Sequence, residues 1–235
     1  LFLKMLFNEA IQRLDVNKTG NYNILEMYAK NKILETILSK KKFNCEIFQT
    51  LFSKKLCFYN KNTFIHDVKL SMLKESEFDF CISIFPVMSN SELIKTLESM
   101  QRVLAKGGKF ILIFHSIDSC INLKNLFFKF SNFKNKASFL PCFDILSLGN
   151  QASSVGFKNV VVDKSKYLIT CKKVSEIWSF IRDLGESNYL LGRNKKSIKK
   201  TSYISFCKSI NNLLSKNGKI INEMSVTYLI GAKKN

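Results

Sequence analysis

The side chains best suited to metal binding or covalent chemistry are few and scattered. Cysteines stand at Cys45, Cys57, Cys81, Cys120, Cys142, Cys171 and Cys207, and the two histidines are His66 and His115. No two cysteines form a C-x-x-C pair, and neither histidine completes a metal-ligand spacing with one of them. An odd, widely spaced set also argues against a disulfide framework. They read as free thiols in a reducing compartment, with no metal centre and no cysteine nucleophile expected. His66 and His115 lack the neighbouring acid or base that a general acid–base pair needs, so they read as ordinary strand-end residues.

The charge points elsewhere, but weakly. A formal net charge of +19 would suggest nucleic acid or another anionic partner. The excess is carried by 33 Lys against 4 Arg, beside 22 Asn and abundant Ile and Phe, a composition that AT-rich coding produces without selection for a ligand. Lysines spread along the chain, with short clusters at Lys40–Lys42 and Lys195–Lys200. Recognition of phosphates usually adds Arg forks and stacking aromatics, so a solvated basic surface is the preferred reading and nucleic acid is disfavoured. Phe127, Phe128, Phe130 and Phe133 read as core or pocket wall, and Trp178 as an anchor of its helix.

The elements that must position any site follow from hydrophobic period. The 235 residues, 46% of them apolar, suit one α/β domain with insertions. No apolar run reaches the roughly 18–20 residues needed to span a bilayer. Leu3, Leu6, Phe7, Ala10, Ile11 and Leu14 repeat at three and four, which predicts a helix to about Asp15 rather than a secretory leader. A turn at Asn17–Asn21 leads to a strand at Asn23–Tyr28 and a helix through Ile33–Leu38. Short strands are predicted near Cys45–Phe48 and Thr63–His66. The apolar run Phe78–Phe85 reads as a strand covered on both faces. A helical stripe from Leu93 to Leu104 then stops at Gly107-Gly108, and Phe110–Phe114 is the next central strand. This alternation predicts a doubly wound sheet with right-handed crossovers.

Beyond Ser116 the pattern turns helical, at Asn122–Phe133 and Phe143–Val155. One or two strands follow at Asn159–Thr170, then helices at Val174–Leu184 and Ile198–Leu214 and a last strand at Ser225–Ala232. We read 1–235 as a single domain, with 1–20 an N-terminal helix and 117–158 and 171–217 helical insertions.

These residues carry a resemblance. EFDFCISIF (Glu77–Phe85), followed by a helix ending QRVLAKGGKFIL (Gln101–Leu112), resembles the fourth and fifth strands of class I S-adenosylmethionine-dependent methyltransferases. SVGFKNVVVD (Ser154–Asp163) and IWSFIRDLGESN (Ile177–Asn188), with Arg193 and Asn194 beyond, resemble a narrower branch. That branch holds the malonyl-acyl-carrier-protein O-methyltransferases of biotin synthesis and, more closely, the complex I assembly arginine hydroxylase. The likeness runs from Leu6-Phe7 to VTYLIGAKK (Val226–Lys234). It implies an α/β Rossmann-like methyltransferase fold: a seven-stranded, mostly parallel sheet with an antiparallel last strand, and helical insertions around a substrate pocket.

The resemblance also implies a cofactor, S-adenosylmethionine, and places its markers. The glycine-rich turn after the first strand corresponds to ILEMYAKNK (Ile24–Lys32), where every expected glycine is replaced and Tyr28, Lys30 and Lys32 stand in place of small residues. Glu26 matches the family's acid there. The carboxylate that ends the second strand is replaced by Leu51, whereas Asp67 matches the acid that accepts from the adenine amino group. Glu26, Tyr28, Asp67 and Phe85 thus form the expected cofactor set. Met88, where the family has a His-Trp pair, and Glu186, Ser187 and Asn188 form the expected substrate-pocket set. No catalytic residue is assigned.

Three functions follow as expectations. One is a methyltransferase-family protein of the arginine hydroxylase branch, with biotin-synthesis carboxyl methylation as the enzymatic alternative. Another is an inactive assembly or scaffold protein, suggested by the lost glycines. A nucleic-acid methyltransferase or binder, suggested by charge, ranks last. A protein or carrier-protein partner is expected, in a bacterial cytoplasm first and a mitochondrial matrix second.

Overall fold

The computed structural model describes residues 1–53, 62–130, 139, 142–186 and 198–234. They fall into two compact units. The first comprises Leu1–Phe114, Phe143–Asp163 and Thr227–Asn235, the second His115–Cys142 and Lys164–Val226.

In the first unit, α1 (Phe2–Arg13) buries the stripe Leu3, Leu6, Phe7, Ala10 and Ile11, as its spacing predicts. β1 (Asn21–Glu26), α2 (Ile33–Lys40), β2 (Asn44–Leu51) and β3 (Thr63–Ile65) follow. β1 pairs in parallel with β2, and β2 with β3. The chain then returns to the other side of β1, where β4 (Phe78–Ile84) lies parallel to it. β4 pairs in parallel with β5 (Leu104–His115), reached through α3 (Asn90–Val103). With α4 (Ile121–Phe130), α5 (Ile145–Ser154) and the long strands β6 (Lys158–Cys171) and β8 (Lys219–Ala232), the sheet order is β3-β2-β1-β4-β5-β8-β6. Hydrogen bonds from Lys233 to Gly108 and from Ser116 to Ser225 mark β8 as antiparallel to β5. Strand order reverses at β1/β4, the point where α/β sheets of this kind open a crevice at their carboxyl ends.

The core explains the order. Leu25, Phe78, Cys81, Phe110 and Leu112 are buried with Leu93, Leu97 and Met100 of α3 and Leu148 and Ala152 of α5. Each Leu, Met or Phe among them stabilises by about 1.5–3 kcal/mol when fully buried. α1 is tied down by Glu9, which accepts from the Tyr228 hydroxyl at 2.5 Å, and by Arg13, which donates to Asp163 at 2.6 Å.

The helix before β5 does not run to the glycine pair. It ends at Val103, because Leu104 turns extended and pairs with Phe78. Gly107 (φ 71°) lies in the irregularity between the Phe78 and Phe80 pairings. At Gly108 a β-carbon would sit 2.9–3.2 Å from the carbonyl oxygens of Ala105, Phe78 and Asp79, so only glycine allows this approach. β1 also ends earlier than its apolar pattern suggests, leaving Met27 and Tyr28 in the turn beyond it.

The second unit contains α4, α6 (Val174–Asp183), α7 (Lys200–Leu214), β7 (Ser215–Lys216) and residues 164–171 and 219–226 of the long strands. Its core gathers Leu123, Leu126, Ile177, Phe206 and Ile210. Trp178 stacks on Phe206, centroids 5.9 Å apart at 23°, and so anchors its helix as the sequence suggests. β7 and β8 form a hairpin absent from the sequence reading, turned by Asn217 (φ 50°) and Gly218 (φ 71°). Phe133, Ser187, Asn188, Arg193 and Asn194 lie outside the described residues. Among the described residues no helix is long and apolar enough to cross a membrane.

Candidate functional site

The turn after β1 is fixed by its backbone. The Met27 amide donates to Ile82 O at 2.9 Å and the Ala29 amide to Thr50 O at 2.8 Å, pinning it to the ends of β4 and β2. Between them Tyr28 adopts φ 55°, the left-handed region that favours glycine. A residue with a side chain pays about 1–2 kcal/mol there, which packing must offset. The packing is visible: Tyr28 is 4% exposed, and its ring lies 3.8 Å from that of His66, at 36°. Thr50 Oγ1 accepts from the Tyr28 amide at 3.3 Å and lies 2.9 Å from His66 Nδ1. Burial pushes the His66 imidazole down to about 4, against the pull of Asp67. Its Nε2 has no partner among the described residues. The Lys30 ammonium lies 5.9 Å from the ring of Phe85, a buried residue with φ 50°.

Glu26 ends β1, paired with Gln49 in β2, and Gln49 Nε2 donates to Glu26 Oε2 at 2.7 Å. Burial pushes the Glu26 carboxyl up to about 8, only partly opposed by that hydrogen bond. It therefore keeps its proton at neutral pH and presents no fixed negative charge. Gln49 Oε1 is buried without a partner among the described residues.

Among the described residues, space at the switch point is small. The cavity between Leu3, Phe7, Glu26, Tyr28, Lys30 and Ile84 measures about 10 Å³. That is room for about one water, whereas pockets for molecules of cofactor size run to several hundred Å³. Among the described residues this cavity has no room for S-adenosylmethionine.

The other expected residues stand in different settings. Asp67 accepts from the Ser71 amide at 3.2 and 3.1 Å and caps the local turn. Met88 is 4% exposed and belongs to the same apolar core as Tyr28. Glu186 lies in the second unit. The structure thus gathers Glu26, Tyr28 and Phe85 with Lys30, while Asp67 serves its own turn and Met88 the core.

The second unit holds a larger space, an apolar cavity of about 120 Å³ walled by Leu123, Ile177, Trp178, Ile181 and Leu184. At its edge His115 Nε2 and Glu186 Oε2 are 3.0 Å apart. Lys124, Cys120, Cys142 and Asn222 also line it. Asn222 Nδ2 donates to Cys120 Sγ at 3.0 Å, and burial pushes both thiols up. Of these residues the resemblance implies Glu186 alone as a site residue; Trp178 reads from the sequence as a helix anchor, Lys124 and the thiols are not singled out, and the expectation that His115 has no acid partner is corrected by Glu186. The His115–Glu186 pair spans 71 residues, so no local spacing announces it.

No protein-family model and no curated protein matches the chain. Solved structures do. The chain is similar to a S-adenosylmethionine-dependent methyltransferase from Archaeoglobus fulgidus, at 13% identity and TM-score 0.57, over 98% of this chain and 94% of that one. It is similar to the YcgJ protein from Bacillus subtilis, at 13% and 0.61, over 97% and 98%. Phosphoethanolamine N-methyltransferase 2 of Haemonchus contortus, solved with phosphomonomethylethanolamine and S-adenosylhomocysteine, matches at 11% and 0.56, over 98% of this chain and 53% of that one. At such identities the likeness establishes the fold. The chain has the Rossmann-like fold of class I methyltransferases.

Proposed function

We propose that this chain is a methyltransferase-family protein of the branch that includes the complex I assembly arginine hydroxylase, and that it acts as a non-catalytic assembly module. One observation carries the second half: among the described residues, the cavity at the β1/β4 switch point, walled by Tyr28 and its neighbours, measures about 10 Å³. The fold and the sequence resemblance support the first half. Its partner is then a protein, met in a bacterial cytoplasm or a mitochondrial matrix. In this reading Tyr28, Phe85 and Met88 hold the sheet ends together, and His115 with Glu186 shapes the second unit's pocket.

A second reading, an active S-adenosylmethionine-dependent enzyme, is favoured by two buried polar atoms without partners among the described residues, Gln49 Oε1 beside the acid Glu26 and His66 Nε2 beside Tyr28. Buried polar groups without partners are costly, and a bound polar ligand would satisfy them. In that case Glu26, Tyr28, Asp67 and Phe85 are the cofactor residues, and Met88, Glu186, Ser187 and Asn188 are the substrate-pocket residues only as the sequence resemblance implies them. A malonylated carrier protein, as in biotin synthesis, is the alternative acceptor to a protein arginine.

Calorimetric titration of the full chain with S-adenosylmethionine and S-adenosylhomocysteine separates the readings. No heat and no thermal shift are expected. Stoichiometric micromolar binding, abolished by Asp67→Ala, would overturn the non-catalytic reading and direct attention to the two acceptors.

A further inference from the structure

The cavity of the second unit is almost wholly apolar, yet one cation enters its wall. Lys124 Nζ has three donors. Among the described residues its partners are the Ile117 carbonyl at 3.4 Å, the Cys142 sulfur at 3.8 Å and the Phe139 ring at 5.9 Å. All are neutral and all are long. The acid among the described lining residues, Glu186, is already met by His115 at 3.0 Å. Cys120 and Cys142 supply no anion, because burial pushes both thiols up. A half-buried ammonium beside apolar walls is stabilised by a carboxylate, which would accept charge-assisted hydrogen bonds from it. The volume, about 120 Å³, is slightly below that of an engineered apolar cavity of about 150 Å³ that takes benzene, so the body of such a ligand is one ring or about six carbons. A phosphate finds no Arg fork here and carries more charge than one lysine meets.

We propose that this cavity binds a small apolar monocarboxylate, with the carboxylate on Lys124 and the hydrocarbon body against Leu123, Ile177, Trp178 and Ile181. All its walls belong to the second unit, and the proposal does not depend on whether S-adenosylmethionine binds the first.

Trp178 is the one tryptophan of the chain, so its emission reports occupancy directly. The full chain is titrated with hexanoate and benzoate, and in parallel with hexan-1-ol and hexylamine. A saturable change with the two carboxylates is expected, at least tenfold tighter than with the alcohol or the amine. Lys124→Met, which keeps the stem, should weaken hexanoate at least tenfold, and Lys124→Arg should retain it. Leu184→Phe should fill the space and abolish the response. Far-UV circular dichroism checks that each variant folds. Should Lys124→Met fail to fold, the four probes on the unaltered chain still decide. Equal response to hexanol would reduce the site to an apolar void, and preference for hexylamine would make Glu186 the head-group residue. Either result, retention of hexanoate by Lys124→Met, or silence with every probe would overturn the proposal.

Discussion

Two regions of this molecule each place an ionisable side chain beside apolar walls, and they treat it in opposite ways. At the β1/β4 switch point Glu26 is sealed against the neutral Gln49 in a cavity of about 10 Å³. In the second unit Glu186 meets an ionisable partner, His115, beside a cavity of about 120 Å³. The first region has the position of a ligand site and the density of a core. The second has no glycine-rich turn or strand-end motif to announce it, yet it keeps the space. Topology therefore fixes where a crevice can form, and side-chain volume decides whether it does.

Tyr28 is where that contrast breaks most readily. Deleting a large buried aromatic side chain costs about 3–5 kcal/mol, and relief of the left-handed conformation returns about 1 kcal/mol when the replacement is glycine. Tyr28→Gly is expected to lose about 2–4 kcal/mol in urea unfolding, and Tyr28→Ala about 1 kcal/mol more because alanine keeps the backbone penalty. A loss below about 1 kcal/mol for Tyr28→Gly would mean that its ring does not hold the crevice closed.

The pH dependence sharpens the comparison further. Folded Glu26 holds its proton up to about pH 8, against about 4.5 as a free side chain. The folded state then binds the extra proton within that window, so this contribution to stability is complete below pH 4.5 and is lost as pH rises through 8. His66 behaves in the opposite sense. Its folded value of about 4 lies below the free value of 6.5, so its contribution is complete above 6.5 and is lost as pH falls through 4. Between pH 6.5 and 8 only the Glu26 term changes of these two. Stability should fall there by about 2 kcal/mol, at about 1.4 kcal/mol per unit. In Glu26→Gln the same stretch of the pH–stability curve should be flat, and an unchanged slope would show that Glu26 is ionised when folded.

How much of this was legible in the sequence depends on the range of the interaction. The amphipathic stripe of α1 and the two-faced apolar run of β4 stand in consecutive residues and gave the fold directly. The β7–β8 hairpin was also written locally, in Asn217-Gly218, but the helical period of Lys200–Leu214 overshadowed it. The helix boundary before β5 misled because Gly107-Gly108 looks like a helix exit, whereas Gly108 is needed for its approach to the oxygens of Phe78 and Asp79. Loss of the glycine turn was readable. That Tyr28 would fill the vacated volume was not, since its ring partner His66 lies on another strand end. The cavity around Lys124 was hidden for the same reason, its walls coming from segments far apart in the chain.

The smallest effect tests the second region. Glu186→Gln keeps an oxygen that can accept from His115 and removes only the charge, on a pair whose side chains are 20% and 10% exposed. A partly solvated interaction of this kind is worth about 1 kcal/mol or less, a drop of about 2–4 °C in melting temperature at this chain length. Glu26→Gln should move the other way at pH 9, because the amide replaces a carboxylate that burial disfavours. Differential scanning of the two variants at that pH reads both signs in one experiment. If both fall, the crevice carboxylate has a partner that stabilises its charge, and the first region is a charged site after all.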